Sequence, residues 1–257
     1  MRKIATFILL VAVGSCKTQS QDLTVLFSFP KQQSEISGMV YHPQSSLLYT
    51  LEDKGNPNEI YVFTEKGTLQ HTIAIGNVEN TDWEDLSFDN SGNLYVGNFG
   101  NNDNKRTDLS ISKIENSDLS NKNITTTQTT KFNYPEQSAF PPKKKDLLYD
   151  CEAFIATDSY FYLFTKNRSK GFDGSFFVYK VPNKPGEFKA EKIAELNSGN
   201  SYENAAITGA AYNSESKTIA ITTHSKVLLI PFKDDSSFNQ ENIKSLEYNH
   251  VSQKEAI

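Results

Sequence analysis

The chain has 257 residues and a formal net charge of −5, with 26 Lys and Arg against 31 Asp and Glu. That balance, with no stripe of basic residues, excludes a nucleic-acid binder that works by phosphate neutralisation. With 12 Tyr and 17 Phe but only 2 Met and 2 Cys, the composition favours β-structure and leaves little room for a disulfide framework.

The first predicted element is a leader. Arg2 and Lys3 precede an apolar run, Ile4 to Val13, that is far too short to span a bilayer, and Gly14-Ser15-Cys16 supplies a small-residue processing site. The cysteine after two small residues resembles the lipobox of bacterial lipoproteins. Residues 1–15 are therefore expected to be a lipoprotein signal peptide, with Cys16 as the acylated first residue and 16–22 as the tether. No other segment is apolar enough to cross a membrane, so the lipid would be the anchor. Lys17 is not followed by an acidic run, which favours the periplasmic side of an outer membrane. An acylated Cys16 leaves Cys151 without a disulfide partner in the chain.

Residues 23–257 read as one β-domain built on a repeat. "EISGMVYHPQSSLLYTLED" begins at Glu35, "DWEDLSFDNSGNLYVGNFG" at Asp82, "DCEAFIATDSYFYLFTK" at Asp150 and "AITGAAYNSESKTIAITTH" at Ala206. Each is a strand, a turn rich in Pro, Ser, Asn, Asp or Gly, and a second strand. A third run follows each ("EIYVF", "LSISKI", "FFVYKV", "VLLIPF"), then a weaker fourth ("HTIAIG", "TTKFNY", "EKIAEL", "KSLEYN"). Four short antiparallel strands per unit is the signature of β-propeller blades. "LTVLFSF", residues 23–29, looks like a fourth strand without its first three, and "QKEAI", residues 253–257, like the start of another first strand. Together they predict an all-β propeller of five blades, with six as the alternative. In that reading 23–29 closes a last, incomplete blade, and the chain is truncated at its C-terminus. The polar stretch Glu115 to Thr130 reads as a long hairpin loop.

Alignment of the repeats places acids in columns. The first position holds Glu35, Asp82, Asp150, Ala206 and Gln253; the second Ile36, Trp83, Cys151, Ile207 and Lys254; the third Ser37, Glu84, Glu152, Thr208 and Glu255. Alternation puts the first and third on one face and the apolar middle column between blades, so Cys151 reads as a small buried hydrophobe. First strands line a propeller's channel, and the acids should converge there. Two carboxylates about 6 Å apart at an effective dielectric near 20 repel by roughly 3 kcal/mol, about two pKa units. Water, a shared proton, a basic neighbour or a hard cation such as Ca2+ must relieve that. Glu35, Asp82, Glu84, Asp150, Glu152 and Glu255 are the candidate cation ligands. Alternatively, the acids accept backbone N–H bonds and staple the blades together. Second-strand ends add Glu52, Asn98, Lys166 and Arg168 as ligand-binding candidates, the last two as compensating charges. In "GNFGNNDNKR", Gly97 to Arg106, the Asn/Gly cluster fits turns better than a calcium loop, because EF-hand spacing is absent.

"SEISGMVY" followed by "LLYTLED" resembles the SdiA-regulated family of bacterial propellers, which begins with a similar Ser-Glu-x-Ser-Gly segment. "DWEDLSF…LYVGNFGNNDNKR" and "YDCEAF…YLFTKN" resemble exported bacterial propellers related to esterase-like phytase proteins. The resemblance spans residues 23–257 and implies a propeller with an acid-rich face. By analogy, calcium-dependent propeller hydrolases hold their metal with channel carboxylates. This chain departs from them in lacking an evident histidine dyad and in carrying Ala206 at an acid position.

Nucleophile-elbow, Walker and dinucleotide fingerprints are absent, and the four histidines form no zinc spacing. The sequence thus leads to a monomeric, lipid-anchored binding or scaffold module for an unknown protein or small-molecule ligand. The alternative is a calcium-dependent hydrolase of small esters, lactones or phosphoesters, with His224 as its base.

Overall fold

The computed structural model describes residues 20–21 and 24–257; the expected leader and Cys16 lie outside the described residues. A short β1 (Ser20–Gln21) precedes four sheets that follow one another along the chain. Blade one is β2 (Ile36–His42), β3 (Leu47–Glu52), β4 (Glu59–Thr64) and β5 (Leu69–Ile75). Blade two is β6 (Trp83–Phe88), β7 (Leu94–Asn98), β8 (Ser110–Ile114) and, after β9 (Asn123–Ile124), β10 (Gln128–Asn133). Blade three is β11 (Asp150–Ala156), β12 (Tyr160–Lys166), β13 (Ser175–Pro182) and, after β14 (Gly186–Lys189), β15 (Glu191–Asn197). A one-turn helix, α1 (Tyr202–Ala205), leads into blade four: β16 (Ile207–Asn213), β17 (Thr218–Thr223), β18 (Lys226–Pro231) and β19 (Lys244–Tyr248).

All sixteen strands expected from the four repeats are present. The inner strands β2, β6, β11 and β16 pack in succession around the axis. Between blades lie three apolar layers: Leu51, Ile60 and Ile73 against Trp83, Leu86 and Val96; Tyr95, Phe99 and Ile111 against Phe154, Phe161 and Tyr179; and Ile155, Phe164 and Val178 against Ile207, Ile221 and Ile230. A hydrophobic stack of this kind needs residues apolar on both faces, which explains why these strands are buried along most of their length.

The described residues form four blades, which corrects the expectation of five or six. Alternating sequence at the two ends predicts extra strands. Residues 24–29 and 253–257, however, belong to no sheet, so neither end forms a backbone ladder of its own. Phe27 and Phe29 instead stack edge to face, with Phe29 on Phe63 of blade one, while β1 pairs in parallel with β19. Residues 253–257 run close beside β16: a Cβ on Gly209 would meet Ala256 Cα at 2.9 Å. Blades one, two and four border a cleft of about 570 Å³ lined by Val40, His42, Phe88, Tyr212, Leu229 and Ile257.

Short pieces of chain lace the blades together. The β8–β10 connection, expected as a bare loop, contributes β9, which pairs in parallel with β5 of blade one. The β13–β15 connection contributes β14, which pairs in parallel with β10 of blade two. From the β18–β19 connection, Gln240 uses its amide as a strand would: Oε1 accepts from Asn197 N at 2.7 Å and Nε2 donates to Asn197 O at 3.1 Å, at the end of β15. With β1 on β19, part of each outer edge is covered, which shortens the exposed ladder that invites strand addition.

Adjacent inner strands approach closely where a side chain is missing. A Cβ on Gly38 would lie 2.7 Å from Asp85 Cα and 3.0 Å from the Glu84 carbonyl oxygen, both backbone atoms that cannot swing away. Gly38→Ala is expected to cost about 1–3 kcal/mol through overpacking. Urea unfolding would measure it, and a loss within experimental error would show that the blades separate without strain.

Candidate functional site

The inner strands share one irregularity. Their register with the second strand slips between Ile36 and Gly38, Trp83 and Asp85, Cys151 and Ala153, and Ile207 and Gly209. The extra residue is the third-column one in every blade: Ser37, Glu84, Glu152 and Thr208. A bulge re-aims side chains and twists the strand, so simple alternation does not describe these positions. All four are buried. The middle column packs between blades as expected, with Trp83 and Cys151 fully buried; burial pushes the Cys151 thiol well above its ordinary pKa.

The three acids around Trp83 have three different fates. Asp82 takes the Lys54 ammonium at 3.2 Å from Oδ1 and 3.4 Å from Oδ2. Asp85 turns inward and staples: Oδ1 accepts from Leu86 N at 2.8 Å and Oδ2 from Phe154 N at 3.1 Å. One carboxyl thus joins blades two and three. Burial pushes its pKa well above the usual carboxylate range, with these donors opposing. Glu84, only 9% exposed, has no hydrogen-bond or ion-pair partner among the described residues. Burial, then the charges of Glu152, Asp150 and Asp82, push its carboxyl well above the usual range, with Lys166 opposing.

On blade three the acids are neutralised from within. Arg168 Nε pairs with Asp150 Oδ2, and its Nη2 pairs with Glu152 Oε1. Lys166 Nζ reaches Glu152 Oε2 at 3.1 Å, and Asn101 N donates to Asp150 Oδ1 at 2.7 Å. Burial and the Glu152 charge push Asp150 up to about 8, against Arg168. Burial would raise Glu152 too, but Lys166 and Arg168 outweigh it and hold it low.

The blade-one side is different. Glu35 is exposed; its Oε2 accepts from Asn56 Nδ2 at 2.8 Å, and its backbone N donates to Glu52 Oε1 at 3.3 Å. Burial and the charges of Glu35, Asp82 and Glu255 raise the Asp53 pKa, with Lys54 opposing. Glu255, half-buried, takes the side-chain amide of Gln253. Asp53, Asp82 and Glu84 therefore lie around the Lys54 ammonium, with Asp82 alone in ion-pair contact with it among the described residues. Burial works against that ammonium, but Asp82, Glu84 and Asp53 outweigh it and raise its pKa.

The remaining candidates are engaged structurally. Asn98 Oδ1 accepts from Asp82 N at 3.1 Å and from Arg106 Nη2 at 3.2 Å, while its Nδ2 donates to Glu79 O. In the Gly97–Arg106 loop, Asn101 Oδ1 accepts from Arg106 N, Asn104 Oδ1 accepts from Tyr149 N, and Asn104 sits at φ 52°. These amides shape turns, and those oxygens are taken. His224 Nδ1 lies 2.9 Å from Glu203 O, and its Nε2 is buried without a partner. Among the described residues, no group of three or more His, Cys, Asp or Glu side chains is arranged to hold a metal ion. Sequence reasoning missed Lys54, and the stapling it allowed for the column acids falls to Asp85, which lies outside the first and third columns. Lys54 directly follows the aligned strand end Glu52-Asp53, which could have drawn attention to it.

The four radial sheets, with first strands on the axis, define a β-propeller. No protein-family model matches the chain, and no curated protein does. Among solved structures it is similar to the nidogen/laminin complex at 11% identity and TM-score 0.46, covering 82% of this chain and 64% of that one. It is also similar to the hydrazine synthase of Kuenenia stuttgartiensis at 12% identity and TM-score 0.46, covering 82% and 62%. A functionally unknown protein from Desulfotomaculum acetoxidans is similar at 12% identity and TM-score 0.42, covering 85% and 58%. The chain thus spans less than two thirds of the length of these neighbours.

Proposed function

We propose that this β-propeller is a binding module that takes a positively charged group at the strand-start end of its axis. The observation that carries the reading is the uneven neutralisation of the acids there. Asp150 and Glu152 are matched by Arg168 and Lys166, whereas Asp82 has only the half-exposed Lys54 and Glu84 has no ion-pair partner among the described residues. In the fuller reading the chain is exported and lipid-anchored through Cys16 on the periplasmic side of an outer membrane. It acts there as a monomer and is allied to the SdiA-regulated and esterase-like phytase propellers through Ser34–Gly38 and the acid-bearing strand starts. In the hydrolase alternative His224 would be the base: with Nδ1 on Glu203 O, its Nε2 is buried without a hydrogen-bond partner among the described residues.

The test is thermal unfolding with calcium chloride, with cadaverine, and with sodium chloride at matched ionic strength. A cation present at 100 times its Kd adds about 2.7 kcal/mol when it binds only the folded state. At least one of the two is expected to raise Tm above the sodium control, and Asp82→Asn/Glu84→Gln is expected to abolish the rise. Equal melting in all three salts would overturn the reading.

A further inference from the structure

The site holds a clue to the kind of cation it takes. Lys54 lies 3.2 and 3.4 Å from the two Asp82 oxygens, yet its side chain is 52% exposed while that of Asp82 is 7% exposed. Beside this pair stands the buried and unpartnered Glu84. Gly100 makes room for both acids: a Cβ there would strike Glu84 Oε1 and lie 2.8 Å from Asp82 Oδ2. The seat therefore has a buried floor of two carboxyl groups and a cation that reaches it from a half-exposed side chain.

We propose that Asp82 and Glu84 form a seat for a primary alkylammonium group, which Lys54 fills from within until an external ammonium displaces it. The proposal rests on the cation-binding reading above and names the ligand class. An ammonium has three donors, and the two Asp82 oxygens and one Glu84 oxygen offer three acceptors. Calcium would need six to eight oxygens. Here Asp150 and Glu152 are bound to Arg168 and Lys166, and the oxygens of Asn98 and Asn101 already accept N–H bonds. Lys54 itself shows that an ammonium fits against Asp82, although it is not ion-paired with Glu84. Its removal is tolerable in folding terms because the side chain is half-exposed, whereas Lys166, with its buried side chain, is a fixed part of the wall.

Calorimetric titration at constant ionic strength tests this with three probes: cadaverine, the lysine peptide acetyl-Gly-Lys-Gly-amide, and calcium chloride. Lys54→Met should bind cadaverine or the peptide at least tenfold more tightly than the unaltered protein, and the tighter of the two identifies a free amine or a polypeptide lysine as the source. Adding Glu84→Gln to Lys54→Met should lose at least tenfold. Lys54→Gln serves as the second variant if methionine perturbs folding, which far-UV circular dichroism reports. Calcium binding without amine binding, or equal amine affinity with and without Lys54, would overturn the ammonium seat and leave the cation reading standing. Binding of none of the probes to any variant would overturn both.

Discussion

Replacing Arg168 with methionine is expected to cost about 3–5 kcal/mol of folding stability at pH 8, because it leaves two buried carboxylates facing each other without their shared guanidinium. Asp150 is fully buried and Glu152 is 4% exposed, so water cannot take over the role. Lys166 would remain on Glu152, but Asp150 would keep only the Asn101 N–H. The loss should depend on pH with a definite sign. Asp150 already sits at about 8, above the ordinary carboxylate value near 4, so the folded state holds a proton that the unfolded state has released between those limits. Stability attributable to Asp150 therefore falls as pH rises through that window. Without Arg168, Glu152 loses one of the charges that hold its pKa down and moves in the same direction. The variant should recover part of its deficit at pH 5, measured by urea unfolding at both pH values. A deficit that is the same at both, or largest at pH 5, would show that the two acids are not held by the arginine charge.

A second large effect is expected at Asp85. Asp85→Ala would leave the Leu86 and Phe154 N–H groups without their acceptor at the centre of the molecule. Each buried donor left unsatisfied costs roughly 1–3 kcal/mol, so a total of about 3 kcal/mol or more is expected. Asp85→Asn keeps one carbonyl oxygen but turns an amide against one of the donors, and it should fall between alanine and the native residue. The ordering separates bonding from packing, since asparagine and aspartate fill nearly the same space. An alanine variant within about 1 kcal/mol of the native protein would mean that the staple carries no weight.

The blades were legible in the sequence because a strand pairs through a period of two, and residues such as Ile60, Val62, Val178 and Ile221 occupy that period without interruption. The acid columns were legible for the same reason. Three things were not. The shared bulge leaves no mark of its own in residue type, since the polar residues Ser37, Glu84, Glu152 and Thr208 are equally what a regular alternating strand would carry there. Lys54 meets Asp82 across 28 residues and a blade boundary, a pairing that local spacing does not encode. The strand β9 covers only Asn123 and Ile124 within a polar stretch, too short for a periodic signal. Blade number was misjudged because alternation at residues 23–29 and 253–257 shows what a segment could pair with, not whether a partner ladder is beside it.

The lacing of the outer edges has a consequence for how such a molecule could be rearranged. Because β9 protects the edge of blade one but is encoded within blade two, and β14 protects blade two but is encoded within blade three, a sheet is not a transferable part. A graft that moved one sheet between related chains would carry away its neighbour's cover and arrive without its own. The portable cassette is offset from the sheet: it runs from the third-to-fourth-strand connection of one blade to the same connection of the next, and cuts made at those points would leave each border its own cover.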